Sequence, residues 1–305
     1  MITKEFWVYD MIQDIAPHRM DNQFRTGIIP LKDSPVLIFT GKKMENIMVR
    51  LTKGRISFPV ASELPDDLEY TFLFSVDDQP LFMVIEEDPD TIRLPGDLVP
   101  VDSRKLRPDY YLGDENRHLI FEAYTAGQLA RWYHDNRYCG TCAHKTVPSK
   151  TERALCCPHC GRTIYPRILP AVIIGVTDGD RILMTKYAGR SYTFYALVAG
   201  FNEIGETLEE TVAREVMEEV GLKVKNIRYY KSQPWGIVDD LLAGFYCDVD
   251  GSTEIILDRN ELKEAVWVER KDVEGQPHDL SLTNEMMVVF REGREPLGYR
   301  YAMRE

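Results

Sequence analysis

Short apolar runs, each followed within three residues by Gly or Asp, mark the first 115 residues of the chain. The clearest runs are Val36–Phe39, Tyr70–Phe74 and Leu81–Ile85. Runs of four or five apolar residues that end at turn-forming residues are typical of β-strands. The pattern therefore predicts a β-rich N-terminal region, and no motif within it indicates chemistry.

A helical pattern follows this region. Thr125 and Gln128 have the spacing of a capping box, which predicts a helix N-terminus at Thr125. Leu129, Trp132 and Tyr133 then fall on one side of the predicted helix. We interpret this helix as a packing element that joins two domains.

Beyond Tyr165 the pattern becomes that of an α/β domain. Ala171–Val176 and Arg181–Lys186 flank an Asp-Gly pair at 178–179, which predicts a β-hairpin. The remaining predicted elements are strands at 227–232, 241–248 and 265–269, and a helix that begins near Ser281 and ends by Gly293.

One helix in this domain has clear signals at both ends. Thr207 and Glu210 form a capping box at its start, and Gly221 is suited to the left-handed conformation that ends a helix. The sequence thus predicts a helix from Thr207 to about Val220. Its buried stripe is predicted to be Leu208, Val212, Val216 and Val220.

The composition, with 44% hydrophobic and 28% charged residues, is that of a folded chain and excludes disordered and low-complexity classes. There are 37 basic and 49 acidic residues, so the net charge of −12 repels phosphate backbones over most of the surface. The first residues lack the basic start and apolar core of a signal peptide, and no apolar run approaches the about 20 residues of a membrane helix. We expect a cytoplasmic protein without a membrane partner.

Five of the six cysteines lie between positions 139 and 160. They include two C-x-x-C knuckles, an arrangement that delivers four thiolates to one tetrahedral Zn²⁺. Four thiolates leave no open position for water, so we expect a structural zinc. The predicted zinc ligands are Cys139, Cys142, Cys157 and Cys160.

Other residues near the knuckles leave alternatives open. Cys156 could replace Cys157 as a ligand, which would give a wider knuckle with Cys160. His144 and His159 could each substitute for a thiolate.

Three glutamates mark the helix predicted after Thr207. Glu215, Glu218 and Glu219 stand at i, i+3 and i+4, so their carboxylates project from one face within a single turn. A solvated acidic face would show the same spacing. Carboxylate oxygens without His or Cys are, however, the ligands that Mg²⁺ and Mn²⁺ prefer, and these ions also bind substrate phosphates.

The segment around these glutamates resembles the Nudix box, G-x5-E-x7-R-E-U-x-E-E-x-G-U, where U is an aliphatic residue. The matching residues are Gly200, Glu206, Arg214, Glu215, Val216, Glu218, Glu219, Gly221 and Leu222. The resemblance implies hydrolysis of a nucleoside diphosphate that is linked to another group.

Two further features are similar to the NADH pyrophosphatase (NAD diphosphatase) branch of the Nudix hydrolases: the four-cysteine ribbon before the box and Ser-Gln-Pro-Trp at 232–235. This resemblance implies a Nudix mixed-sheet α/β/α sandwich at 166–305, a zinc ribbon at 137–165 and a β-rich N-terminal domain with the connecting helix at 1–136. It also implies cleavage of NADH or NAD⁺ to nicotinamide mononucleotide and AMP, removal of NAD caps from RNA, and a homodimer.

Residue roles follow from the same resemblance. The implied catalytic residues are Glu215, Glu218 and Glu219. The implied Mg²⁺ or Mn²⁺ ligands are these three side chains, the side chain of Glu261 and the carbonyl of Ala199. The implied substrate contacts are Tyr165, Phe201, Gln233, Trp235 and the main chain near Thr283.

The chain departs from the branch after Trp235, where Gly236–Asp240 stands in place of Pro-Phe-Pro-x-Ser. Asp239 and Asp240 would lie near the substrate and would disfavour ligands that bring further negative charge. The altered run favours an alternative, a Nudix pyrophosphatase for ADP-ribose or another nucleoside diphosphate conjugate. A second alternative is a non-catalytic binding module in which the zinc ribbon recruits a partner.

Overall fold

The structure is a computed structural model of the chain. It describes residues 11–110, 114–189, 194–276 and 280–296. Sixteen β-strands and four α-helices lie within these residues. No helix among them is long and apolar enough to span a bilayer.

The chain divides into two compact units. The first comprises Ile12–Ile168 and the short segment Gly236–Asp239. The second comprises Leu169–Trp235, the described residues from Asp240 onward, and Met11. The four-cysteine ribbon therefore belongs to the same unit as the N-terminal region, and the glutamate helix belongs to the other.

Seven strands of the first unit form one sheet. They are β1 (Met20–Asp21), β2 (Val36–Thr40), β3 (Asn46–Thr52), β4 (Arg55–Ser57), β5 (Thr71–Val76), β6 (Gln79–Ile85) and β7 (Leu98–Asp102). The order is β1-β5-β6-β2-β3-β4, with β7 also paired to β3, and β2 and β6 form its one parallel pair. The predicted β-rich region is confirmed, and the three apolar runs coincide with β2, β5 and β6 to within two residues.

Two helices complete this region, α1 (Leu106–Tyr110) and α2 (Asp114–Asp135). The predicted N-terminus at Thr125 is wrong, because α2 has already begun at Asp114. The Thr125 hydroxyl donates to the carbonyl of Phe121 (2.9 Å), a bond made inside a helix rather than at its start. A Thr and a Gln three residues apart therefore did not mark a helix end here.

Three two-residue strands follow α2. They are β8 (Val147–Pro148), β9 (Leu155–Cys156) and β10 (Thr163–Ile164), which form an antiparallel sheet in the order β10-β9-β8. This sheet is too small to bury a hydrophobic core of its own. One cysteine knuckle precedes β8, and the other lies between β9 and β10.

The second unit is built on a six-stranded sheet. Its strands are β11 (Leu169–Asp178), β12 (Arg181–Tyr187), β13 (Val198–Phe201), β14 (Val224–Trp235), β15 (Asp240–Val249) and β16 (Leu262–Glu269). The order is β14-β15-β11-β12-β16, with β13 also paired to β11. Strands β11 and β15 are parallel and the other pairs are antiparallel, so the predicted mixed sheet is confirmed.

Helices α3 (Leu208–Val220) and α4 (Leu282–Arg291) pack on opposite faces of this sheet. Alternate residues of β11 divide between the two cores, since Val172 and Ile174 lie in the core with α3, whereas Ala171 and Ile173 lie in the core with α4. The long apolar run in β11 is thus explained by burial on both faces. The predicted α/β/α sandwich, its hairpin and its two helices are all present.

Candidate active site and zinc site

The two cysteine knuckles fold in the same way. The N–H four residues after the first cysteine donates to that cysteine's carbonyl, from Ala143 to Cys139 (2.8 Å) and from Gly161 to Cys157 (3.0 Å). Ala143 and Gly161 both have a positive φ, of 59° and 76°, so each knuckle turns through the left-handed region. Two equal turns therefore present two pairs of thiols.

These turns gather four sulfur atoms. The Sγ atoms of Cys139, Cys142, Cys157 and Cys160 all lie within 4.8 Å of one another. The distances are 3.6 Å from Cys139 to Cys160 and 3.4 Å from Cys142 to Cys157. Sulfurs about 2.3 Å from a tetrahedral Zn²⁺ would be about 3.8 Å apart, so the cluster has the size that zinc requires.

Backbone N–H groups prepare two of these thiols as ligands. The Thr141 N–H donates to the sulfur of Cys139 (3.4 Å) and lowers the pKa of that thiol to about 6. The N–H of Cys160 lowers the pKa of Cys157 in the same way. Because the thiolate is the metal ligand, both bonds favour zinc binding.

Cys156 lies outside this cluster, since its sulfur is 4.0 Å from the hydroxyl of Thr163 and it is not among the gathered thiols. The rings of His144 and His159 stack with their centroids 3.8 Å apart and their planes 4° from parallel. Their ligand nitrogens do lie within 4.8 Å of Cys142 Sγ. Two parallel rings at this separation share no plane in which one metal ion could lie, so the four thiols form the better site.

The predicted glutamate helix is α3, and both of its end signals are confirmed. The Thr207 hydroxyl accepts from the Glu210 N–H (3.2 Å), while the Glu210 carboxylate accepts from the Thr207 N–H (2.7 Å). Gly221 ends the helix with a φ of 69°. A side chain at Gly221 would also meet Ile256 Cβ at 2.7 Å, so this position excludes other residues on two grounds.

Strand β13 approaches α3 so closely that only glycine fits at position 200. A Cβ atom on Gly200 would lie 1.9 Å from Cδ of Glu215 and within 2.3 Å of both of its carboxylate oxygens. The Glu215 carboxylate therefore occupies the space in front of the Gly200 backbone, beside the peptide that carries the carbonyl of Ala199. The first glycine of the box is explained by this contact.

Arg214 is hydrogen-bonded to three glutamates and to one main-chain carbonyl. Its Nη1 donates to Glu215 (2.7 Å) and Glu218 (3.0 Å), its Nε donates to Glu206 (2.6 Å), and its Nη2 donates to the carbonyl of Phe201 (2.9 Å). The guanidinium lowers the pKa of Glu206 to about 2, which keeps that carboxylate ionised. The arginine thus connects α3 to the loop between Phe201 and Glu206.

The glutamates of the cluster differ in exposure. Glu219 is 2% exposed and Glu215 is 9% exposed, whereas 59% of the Glu218 side chain is exposed. Burial raises the pKa of Glu215, Arg214 opposes that rise, and the charges of Glu218 and Glu261 add to it. Mutually repelling carboxylates held at a partly buried site provide a place where a cation would be stabilising.

Gln233, a predicted substrate contact, is fully buried in the second unit. Its Nε2 donates to the carbonyl of Leu280 (3.0 Å), and its Oε1 accepts from the N–H of Leu282 (2.8 Å). Both ends of the amide are therefore bonded to main chain at the start of α4.

The first turn of α4 lies beside this glutamine. The N–H of Leu282 is bonded to Gln233, and the N–H of Asn284 donates to the hydroxyl of Ser281 (3.2 Å). The N–H of Thr283 has no acceptor among the residues that the structure describes. A main-chain contact near Thr283, as predicted, would use this donor.

Three of the predicted substrate contacts lie at the same end of the sheet. Phe201 pairs with Ala171, which pairs with Leu242, which pairs with Gln233, and Trp235 lies two residues further along β14. Phe201 is 54% exposed, whereas Trp235 packs partly buried against the core on the α4 face.

Tyr165 belongs to the first unit and is 58% exposed. Its hydroxyl donates to Glu152 (3.1 Å), and this carboxylate raises the pKa of the phenol.

Asp239 is not the exposed repelling charge that the sequence suggested. It is 6% exposed, and its two carboxylate oxygens accept from Arg131 (2.7 Å) and Arg167 (2.8 Å). Arg131 also donates to the carbonyl of Gly236. The positive charges of two guanidinium groups compensate the charge of the Asp239 carboxylate, so these ion pairs hold its loop in place. Asp240 is also buried, with 7% of its surface exposed.

Two protein-family models match the two regions just described. The NUDIX domain model matches residues 167–288, and the NADH pyrophosphatase zinc ribbon domain model matches residues 134–165. The chain therefore contains a Nudix domain at residues 167–288. Its Nudix domain carries the glutamate helix and the six-stranded sheet, and its zinc ribbon carries the four gathered thiols.

Curated relatives share these regions. NAD-capped RNA hydrolase NudC from Escherichia coli O1:K1 / APEC is 46% identical over 146 residues, which is 48% of this chain and 56% of the relative. The protein of the same name from strain CFT073 matches equally. The chain thus spans about half the length of the curated relatives it matches. A crystal structure of a Nudix hydrolase from Nitrosomonas europaea is 20% identical, with a TM-score of 0.45, over 52% of this chain and 92% of that one.

The donor set of the Nudix domain fits a hard divalent cation. Its oxygen ligands would be the carboxylates of Glu215, Glu218, Glu219 and Glu261 and the carbonyl of Ala199, with no soft ligand among them. The space in front of Gly200 is filled by a carboxylate rather than by a Cβ atom. The residues present therefore suit the divalent metal that the Nudix domain implies.

Two sets of ion-paired residues were not predicted from the sequence. Arg131 and Arg167 lie far from Asp239 in sequence, and no local pattern links them. Glu285 is 1% exposed and accepts from Tyr230 (2.6 Å) and Lys231 (2.7 Å). A glutamate inside an apolar helix was the one available signal for this buried ion pair.

Proposed function

We propose that the protein hydrolyses the diphosphate bond of NADH or NAD⁺, giving nicotinamide mononucleotide and AMP. The observation that carries this proposal is a zinc ribbon of the NADH pyrophosphatase type directly before a Nudix domain whose box carboxylates are all present. The relatives named NAD-capped RNA hydrolase support a second substrate that contains the same bond, NAD-capped RNA. The net charge of −12 means that RNA would depend on a local basic patch.

We propose Mg²⁺ or Mn²⁺ as the catalytic metal, held by Ala199, Glu215, Glu218, Glu219 and Glu261. When bound, the metal would neutralise charge on the diphosphate and lower the pKa of a bound water.

The residues of the chain have separate roles in this proposal. Arg214 fixes Glu215 beside Gly200 and keeps α3 in register with the loop after Phe201. Glu218 or Glu219 accepts a proton from the attacking water, a role worth about 10²–10⁴-fold in rate. One P–O bond forms to the water oxygen, and the P–O bond to the bridging oxygen breaks.

Substrate contacts are proposed for Tyr165, Phe201, Trp235 and the main chain of Thr283. The exposed ring of Phe201 and the ring of Trp235 offer faces for a base or nicotinamide, and stacking of this kind is worth about 1–3 kcal/mol per base in nucleic-acid systems. The N–H of Thr283, which has no acceptor within the described part of the chain, supports a hydrogen bond to substrate.

We further propose a cytoplasmic homodimer with domains at 1–136, 137–165 and 166–305. The cluster of unpaired thiols in the ribbon supports a reducing compartment, since no disulfide joins the described cysteines. The structural zinc is proposed to replace a hydrophobic core in the ribbon.

A product-resolved assay tests the function. NADH, NAD⁺, ADP-ribose and NAD-capped RNA would be compared with Mg²⁺ and with Mn²⁺, using Glu219→Gln as the inactive control. We expect kcat/KM to be highest for NADH or NAD⁺. Preference for ADP-ribose, the candidate favoured by the altered run after Trp235, would reject the dinucleotide assignment. Absence of cleavage with every substrate would favour the binding-module alternative.

A further inference from the structure

Gln233 is the most completely buried polar side chain at the substrate end of the sheet. It lies on β14 opposite Leu242, with no exposed surface. A buried amide without partners would be destabilising, but both ends of this one are bonded to main chain. Because it has no exposed surface and is bonded to main chain at both ends, this side chain is poorly placed to contact a ligand.

The two bonds of Gln233 bracket one residue, Ser281. The side chain joins the carbonyl of Leu280 to the N–H of Leu282, the residues before and after Ser281. Ser281 is the N-cap of α4, and its hydroxyl accepts from Asn284. The glutamine therefore holds the turn at which α4 begins.

The bonds of Gln233 determine which backbone N–H in the first turn of α4 remains available to a ligand. The first N–H groups of an α-helix have no partner within the helix. In α4 the N–H of Leu282 is bonded to Gln233 and that of Asn284 to Ser281, which leaves the N–H of Thr283. Without the glutamine amide, Leu282 would become a second unclaimed donor and the turn would lose its link to β14.

A second contact links the same strand to the same helix turn. Glu285 is 1% exposed and accepts from Tyr230 and Lys231, both on β14. Burial raises the pKa of Tyr230, and the hydrogen bond to Glu285 acts in the same direction. Strand β14 thus holds the start of α4 at two points, one polar and one ionic.

We propose that Gln233 is a positioning residue, which places the main chain of Thr283 for substrate instead of touching substrate itself. The kinetic part of this inference rests on the proposed function, whereas the structural part does not. The predicted role of Gln233 as a substrate contact would be replaced.

Amide hydrogen exchange of the substrate-free protein tests the structural part. In Gln233→Met, a variant of similar side-chain volume, we expect about tenfold faster exchange in a peptide covering residues 280–290. The matched control is Gln79→Met, which removes an exposed glutamine that likewise donates to a carbonyl, that of Asp33. The control should leave exchange in this peptide unchanged.

Kinetics with NADH test the functional part. For Gln233→Met we expect KM to rise about tenfold while kcat stays within about threefold of wild type. Mn²⁺ affinity, measured with the metal alone, should be unchanged because the glutamates of α3 are not touched. A raised KM with unchanged exchange would show that Gln233 contacts substrate and would overturn the proposal.

A second variant covers the case in which Gln233→Met does not fold. The carboxyl group of Gln233→Glu can both donate and accept when it is protonated, as the amide does, but it can only accept when it is ionised. We expect its exchange, corrected for the intrinsic effect of pH, to approach wild type at pH 5 and to be faster at pH 8. No difference between the two pH values would contradict the inference.

These readouts separate two failures. If the wild-type protein does not cleave NADH, the proposed function fails, and the exchange data still decide whether Gln233 sets the turn. If NADH is cleaved and neither exchange nor KM changes in the variants, the positioning role alone is rejected.

Discussion

The zinc ribbon and the glutamate helix differ in how closely they gather their candidate ligand atoms. In the ribbon, four thiols already lie within 4.8 Å of one another, and each pair comes from one tight turn. Among the described residues, no three carboxylates of the Nudix domain are gathered to that degree. Arg214 instead holds Glu215 and Glu218 through the same nitrogen. The ribbon is a closed site for a resident ion, whereas the glutamates form an open site that a cation and substrate would complete.

Loss of a ribbon thiol should have the largest effect. We expect Cys157→Ser to lose zinc and to unfold the ribbon, since structural zinc contributes about 10 kcal/mol or more to small zinc domains. Zinc content per chain and thermal unfolding would measure this. Cys156→Ser is the matched control and should retain one zinc, and the reverse result would make Cys156 the ligand.

Loss of one glutamate charge should leave the fold intact. Glu219→Gln keeps the side-chain volume but removes a buried carboxylate, so we expect turnover of NADH to fall about 10²–10⁴-fold with little change in Tm. Glu209→Gln, on the same helix but outside the box contacts, should be nearly silent. Activity of Glu219→Gln within twofold of wild type would exclude Glu219 from the mechanism.

Glu122 is a buried carboxyl whose pKa is not lowered by any cation among the residues that the structure describes. It lies on α2, is 4% exposed, and its pKa is raised to about 8, first by burial and second by the charge of Asp77. Because the native state then binds a proton that the unfolded state releases above about pH 4.5, the free energy of unfolding should fall as pH rises towards 8.

Glu122→Gln should therefore be more stable than wild type by about 3 kcal/mol at pH 7 and by little at pH 4. Denaturant unfolding at several pH values would measure the difference. The exposed Glu115→Gln, on the same helix, is the control. An equal effect of Glu122→Gln at both pH values would contradict the shifted pKa.

The smallest effect is expected at Gly200. A methyl group there would meet the Glu215 carboxylate, so Gly200→Ala should displace that side chain and lower kcat/KM about tenfold, which is about 1.4 kcal/mol. Gly96→Ala, which has open space around its Cβ position, should leave kcat/KM unchanged. Wild-type kcat/KM in Gly200→Ala would mean that the site adapts more easily than the contact suggests.

Local spacing along the sequence was sufficient to predict several elements and the chemistry they carry. The capping box at Thr207, the glycine at 221 and the stripe from Val212 to Val220 predicted α3 correctly, because these signals act within one or two helical turns. Two equal knuckles predicted the thiol cluster for the same reason. The thiol cluster and the three glutamates of α3 were predictable because the members of each group lie close together along the chain.

Contacts between segments that are distant in sequence could be seen only in the folded structure. The Asp239 carboxylate accepts from Arg131 and Arg167, and the Gln233 amide is bonded to main chain at the start of α4, and neither partner set follows from the local sequence. A side chain's charge and polarity are local properties, but its partners and its burial depend on how strands and helices far apart in sequence pack together.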